Sequence, residues 1–186
     1  MFNPRMMTLV TMVLAAALTR VMPHYWDFTA IGAMCLFGGA SFHRRWIALA
    51  VPMVALLISD VAIAYLQYGG DLTTITWFSY LLFAATVGMG MLIRGRTTVA
   101  NVGGMAIAAS VMFFVLSNLH YWLTSDTYAP TAGGLLTCYV KAIPFARNMF
   151  AANLFYSAVL FGGLYLMQRQ WPALRNPWVR EPALAK

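Results

Sequence analysis

The chain has 186 residues, of which 61% are hydrophobic and only 9% charged, with a formal net charge of +7. Soluble domains carry roughly 25% charged residues, so this composition belongs in lipid. The positive charge needs no nucleic acid to explain it and reads first as a topology signal.

A spanning helix needs about 20 mostly apolar residues, and six stretches qualify or nearly do. The first runs from Met6 to Val21, with Arg20 at its end. The second, Phe28 to Phe42, follows Pro23, a good helix-opening residue. It is short, so it must be tilted little, flanked by polar packing or broken, and Gly38 and Gly39 offer it an early end. The third, Trp46 to Leu66, contains Asp60, and the fourth runs from Ile75 to Ile93. The fifth, Thr98 to Trp122, contains His120, and the sixth runs from Asn148 to Gln168. The reading is therefore an all-α integral membrane protein. Residues 1–168 form one six-helix transmembrane domain and residues 169–186 a basic tail rich in proline. The first span also mimics a secretory signal, through Arg5, an apolar run and Ala15-Ala16-Ala17.

With six crossings, Arg5, Arg44, Arg45, Arg94, Arg96, Arg169, Arg175, Arg180 and Lys186 fall on one side. The positive-inside rule makes that side, and both termini, cytoplasmic. The other side holds Asp27, Asp71 and Asp126, with Tyr25, Trp26 and Trp122 as its interfacial aromatics. The expected location is a membrane, crossed several times.

Polar side chains inside a bilayer are costly and mark function. Asp60, fourteen residues after Trp46, lies about 21 Å along its helix, in the outer half. Arg20, Tyr80, Asn118, His120, Tyr121, Arg147 and His24 also lie near the outer ends of their spans. The expectation is a cup open to the outside. The bland alternative is that Asp60 merely pairs with Arg20 or Arg147 to hold the bundle together. The segment from Leu123 to Ala146 is the longest connection, apolar enough to pack as a lid or as an interfacial helix, with Pro144 as a break. Thr11, Ala15 and Thr19 recur at intervals of four on span one. Such a stripe allows close helix approach, either to a partner membrane protein or within the chain; Gly104 and Ala108 repeat the spacing in span five. Cys35 and Cys138 are far apart, with Cys35 inside a span, so no disulfide is expected.

The chain has no nucleotide-binding loop, no His-Glu-x-x-His and no Cys-x-x-Cys. It has no Gly-x-Ser-x-Gly elbow and too few carboxylates for paired acid–base catalysis. A transporter is expected rather than an enzyme, with no permanently bound cofactor or metal.

Three motifs carry a resemblance: Pro23-His24 with Phe28-Thr29 and Leu36-Phe37-Gly38-Gly39-Ala40; Ser59-Asp60; and Cys138-Tyr139 with Ala142-Ile143-Pro144-Phe145 and Arg147-Asn148. Together the chain resembles the substrate-binding S-components of energy-coupling-factor (ECF) transporters. Among these it looks most like the BtuM-like group of solitary cobalamin-uptake proteins. The resemblance implies a cobalamin pocket beneath the outer loops, lined by His24, Asp60, Tyr80 and Arg147, and uptake of the corrinoid across the inner membrane. The depth argument adds His120 and Asn118 to that set. Members of the group ligate cobalt with a cysteine shortly before the tyrosine, and residues 61–80 contain none. Thiolate ligation and decyanation are therefore not expected, and His24 or His120 would supply a nitrogen ligand instead. The partners expected are cobalamin, membrane lipid and, in one variant, an ECF energising module. Two readings stay open beside this one: the same fold carrying another vitamin or micronutrient, and a structural subunit of a larger membrane complex docking through Thr11, Ala15 and Thr19.

Overall fold

The computed structural model describes residues 3–21 and 28–175. Six α-helices and two short 3-10 turns make up the regular structure, and no strand occurs among the described residues. The helices are α1 (Pro4–Leu18), α2 (Ile31–Ser41), α3 (Arg45–Gln67), α4 (Trp77–Leu92), α5 (Val99–Thr124) and α6 (Ala132–Gln170). Three of them, α3, α5 and α6, are long and apolar enough to cross a membrane, while α1, α2 and α4 are shorter apolar helices.

Local sequence explains the starts. Asn3 caps α1 by accepting the Arg5 amide, and Pro4 occupies the first turn, where a missing N–H costs nothing. Thr98 and Thr131 cap α5 and α6 in the same way. The buried stripes follow the helical period: Leu9, Val13, Ala16 and Ala17 on α1, and Ala48, Pro52, Ala55, Leu56 and Ser59 on α3. The faces turned away from the bundle are just as apolar. On α3 they carry Val54, Leu57, Ile58 and Leu66, all exposed. Water would not tolerate so large an apolar surface, whereas hydrocarbon would.

The core is built around α2, which buries nine of its eleven residues. It does so because it is thin. Gly39 faces Gly90 of α4, and a Cβ on Gly39 would lie 2.0 Å from the Val87 carbonyl oxygen. A Cβ on Gly90 would lie 2.2 Å from the Leu36 carbonyl oxygen. Both obstacles are backbone and cannot swing aside. On the other flank, Gly38 accommodates the Pro52 ring of α3, 2.4 Å from where its Cβ would stand. The two glycines that offered α2 an early end instead let it run on to Ser41 between its neighbours. Phe37 stacks edge-on against Phe161 of α6, and Asn153 of α6 donates to Ala106 O and Ser110 Oγ of α5, each at 2.9 Å. Such bonds hold apolar helices together where hydrophobic contrast is lost.

The connection between spans five and six, read as either a lid or an interfacial helix, is not a separate element. Residues from Ala132 onward are helical, and α6 runs for 39 residues through Pro144. A proline removes one backbone bond and can leave a helix continuous when neighbours support it. Here α5 gives that support on both sides of the proline: Tyr139 donates to Val115 O at 2.8 Å, and Asn153 to Ala106 O and Ser110 Oγ at 2.9 Å.

On α1, Thr11 and Ala15 are exposed and Thr19 half-buried, so the small-residue stripe is not spent on packing inside the chain. Gly104 and Ala108 of α5 are likewise exposed. Both cysteines are free and buried.

Substituting Gly39 or Gly90 with alanine is expected to cost about 1–3 kcal/mol each, the range for overpacking a tight core. Gly88→Ala, where a Cβ meets nothing within 4 Å, is the matched control and should be neutral. Thermal unfolding of the detergent-solubilised protein checks both.

Candidate functional site

The site is assembled from the end of α1, the second half of α3 and the first turn of α4. Arg20 lies just past α1, in a turn where its amide bonds the Ala17 carbonyl. The turn aims its guanidinium across the bundle end toward α3. There Nη1 donates to Ser59 Oγ at 2.5 Å and to Asp60 Oδ1 at 2.6 Å. Ser59 lies on the buried face of α3 and passes its own proton to Leu56 O at 2.8 Å. Asp60, one residue on, turns about 100° around the helix to meet α4. Its second oxygen accepts the Tyr80 hydroxyl at 2.6 Å. Guanidinium, carboxylate and phenol thus form one chain across three helices.

The side chains of Arg20 and Asp60 are only 12% and 17% exposed. A charge so sheltered must be paired, and each carboxylate oxygen here has a strong donor. One donor is left over: Arg20 Nε is buried with no partner among the described residues. A buried N–H without an acceptor costs about 1–3 kcal/mol, so the site has an unmet demand for one.

The other expected site residues lie elsewhere. His120, on α5, stacks on Phe78 at 4.0 Å between ring centres and meets the edge of Trp77 at 6.1 Å. Phe78 and Tyr80 are two residues apart on α4, about 200° around its axis. His120 therefore sits on the side of α4 opposite Asp60. Asn118 folds its amide back to Phe114 O of its own helix at 2.8 Å. Arg147 is exposed on α6, and no hydrogen bond or ion pair of its side chain occurs among the described residues. His24, Tyr25, Trp26 and Asp27 lie outside the described residues, as does the tail from residue 176, with Arg180 and Lys186. Cys138 is packed between α5 and α6, its Sγ 3.7 Å from Asn118 O. In the connection between α3 and α4, Asp71 caps a 3-10 turn; hydrogen bonds from the Thr73 hydroxyl and amide hold its carboxyl below the usual carboxylate range. Among the described residues no three His, Cys, Asp or Glu side chains gather as a metal site would require.

Two features escape sequence reasoning. Ser59 is a working member of the site, a role that its place beside Asp60 hints at. Asn153, Ser157 and Ser110 form a buried polar seam between α5 and α6. The i, i+4 spacing of Asn153 and Ser157 within the apolar stretch from Met149 to Met167 was the available signal.

A helical bundle with three bilayer-length apolar helices and a sheltered ionic chain at one end is thus defined. The chain belongs to the DUF6580 family, a family of unknown function, whose model matches residues 1–174. No curated protein and no solved structure matches it.

Removing one partner of a sheltered ion pair is expected to cost about 3–5 kcal/mol, because the survivor is stranded. Asp60→Leu should therefore unfold at markedly lower temperature than the wild type. The double variant Arg20→Met with Asp60→Leu should recover most of the loss, as melting curves in detergent would reveal.

Proposed function

We propose that the protein is a multi-pass membrane protein that binds a small solute at the Asp60 end of its bundle and takes it up across the bacterial inner membrane, in the manner of an ECF S-component. In this reading all six helices cross or enter the bilayer, and both termini are cytoplasmic. The arginines support that orientation. Arg5 donates to Ser41 O and Leu174 O, and Arg94 to Gly39 O and His43 O, so the cation-rich connections gather at one end. The opposite end carries the Arg20–Asp60–Tyr80 chain.

The observation that carries the reading is the orphaned Nε of Arg20. A pre-set guanidinium with a free N–H is suited to an amide or phosphate oxygen, since charge-assisted bonds of this kind are the strong ones. The cargo is cobalamin or a related corrinoid, a ligand whose edge bears such groups. The support for that choice is the resemblance to the BtuM-like group in the motifs around Pro23-His24, Ser59-Asp60 and Arg147-Asn148. By that resemblance His24 is the candidate cobalt contact, whereas Asn118 and His120, turned away from Asp60, are not part of this binding reading. A second reading rests on the exposed Thr11 and Ala15: a face of small residues left free for another membrane helix, in which case the chain is a subunit of a larger complex.

Calorimetry of purified protein against cyanocobalamin, hydroxocobalamin and cobinamide tests the proposal. Binding of at least one is expected, with Arg20→Lys weakening it at least tenfold, about 1.4 kcal/mol, and Asp126→Ala leaving it unchanged. No heat with any corrinoid, together with no rescue of a cobalamin-dependent strain lacking its own uptake system, would remove the corrinoid. Co-purification of a stoichiometric protein partner without bound small molecule would favour the second reading.

A further inference from the structure

A second feature lies at the opposite, arginine-rich end and owes nothing to the site above. A cavity of about 1260 Å³ opens there between the start of α5 and the C-terminal half of α6. Its mouth carries Arg5, Arg169 and Arg175. Its apolar lining includes Val102 on α5 and Leu154 and Phe161 on α6, with Leu154 exposed. From Arg169 to Leu154 the wall follows α6 for fifteen residues, about 22 Å. That exceeds the depth of one hydrocarbon leaflet, about 15 Å, or half of the usual core. Ser157 also lines it; it is 1% exposed, and its hydroxyl has no partner among the described residues.

We propose that this cavity binds an anionic phospholipid, with the phosphate at the arginine mouth and one acyl chain laid along α6. The shape and the charge select that occupant together. A cationic rim above an apolar slot of leaflet depth matches an amphiphile bearing an anion at one end. A neutral lipid would fill the slot and leave the rim unanswered. A soluble anion would meet the rim and leave the slot empty. Of the three arginines, Arg5 donates to Ser41 O and Leu174 O and Arg175 to Gln168 O, whereas Arg169 rests only on the face of Tyr165, 5.1 Å from its centre. Arg169 is therefore the residue that meets the headgroup. Juxtamembrane arginines draw anionic lipid by about 1 kcal/mol each.

Two glycines give a clean way to close the slot. Gly103 and Gly162 both line the cavity, and a Cβ on either meets nothing within 4 Å. Leucine at either position extends into empty space and raises helix propensity, so the fold is retained.

The test is native mass spectrometry of the full chain from mild detergent, after incubation with phosphatidylglycerol or phosphatidylcholine of identical acyl chains. The wild type is expected to retain phosphatidylglycerol about tenfold better. Gly162→Leu and, independently, Gly103→Leu should abolish that retention while eluting as the wild type does. Arg169→Gln should lower it about fivefold and leave phosphatidylcholine unchanged. Equal retention of the two lipids would overturn the proposal, as would wild-type retention in both leucine variants. Displacement of phosphatidylglycerol by an equal concentration of glycerol phosphate would also overturn it, in favour of a soluble anion.

Discussion

The contact between Gly39 and Gly90 is the constraint on which the bundle rests. In hydrocarbon, helices are not driven together by exclusion of water; they associate where their surfaces can come close enough for dispersion to accumulate. Backbone meets backbone at this crossing, and no side chain larger than hydrogen fits either position. Because α2 can lie so near α4, and because Gly38 lets it rest on the Pro52 ring, an eleven-residue helix becomes the axis of the molecule. The buried faces of α1, α3 and α6 then close around it, with Phe37, Met34 and Leu36 fully enclosed.

Once that axis is set, the polar groups are placed by necessity. Arg20 and Asp60 belong to helices that converge at one end of α2, and each would be intolerable in hydrocarbon without the other. Arg94 at the other end does the equivalent for exposed carbonyls, reaching back to Gly39 O and His43 O as α2 terminates. The molecule thus has two unlike ends. One carries an internally neutralised chain of three side chains, and the other a surplus of guanidinium groups beside an open slot.

Much of this was legible beforehand. Apolar length gave the helices, and the rarity of charge singled out Asp60 as a residue needing a partner. Arg20 and Arg147 were both plausible partners by depth, and only the turn after α1 decides for Arg20. Other features were hidden for physical reasons. Gly38 and Gly39 carry the same letters whether they stop a helix or let two helices touch, and the difference lies in what stands opposite. Pro144 reads as a break because the sequence does not display the α5 surface that steadies the helix on both sides. His120 shared a depth with Asp60 but not an azimuth, and depth alone cannot tell two sides of α4 apart.

The unbroken course of α6 has a mechanical consequence. At 39 residues it is about 58 Å long, nearly twice the hydrocarbon thickness of a bilayer. Asn153 ties that rod to α5 just past its midpoint, through Ala106 O and Ser110 Oγ. Rocking it by about 5° would sweep its two extremities through a combined arc of about 5 Å, in opposite directions. Lys141 and Arg147 ride on one arm, Arg169 on the other. The two sets of cations are thus carried by one continuous element, with Arg147 and Arg169 about 33 Å apart along it.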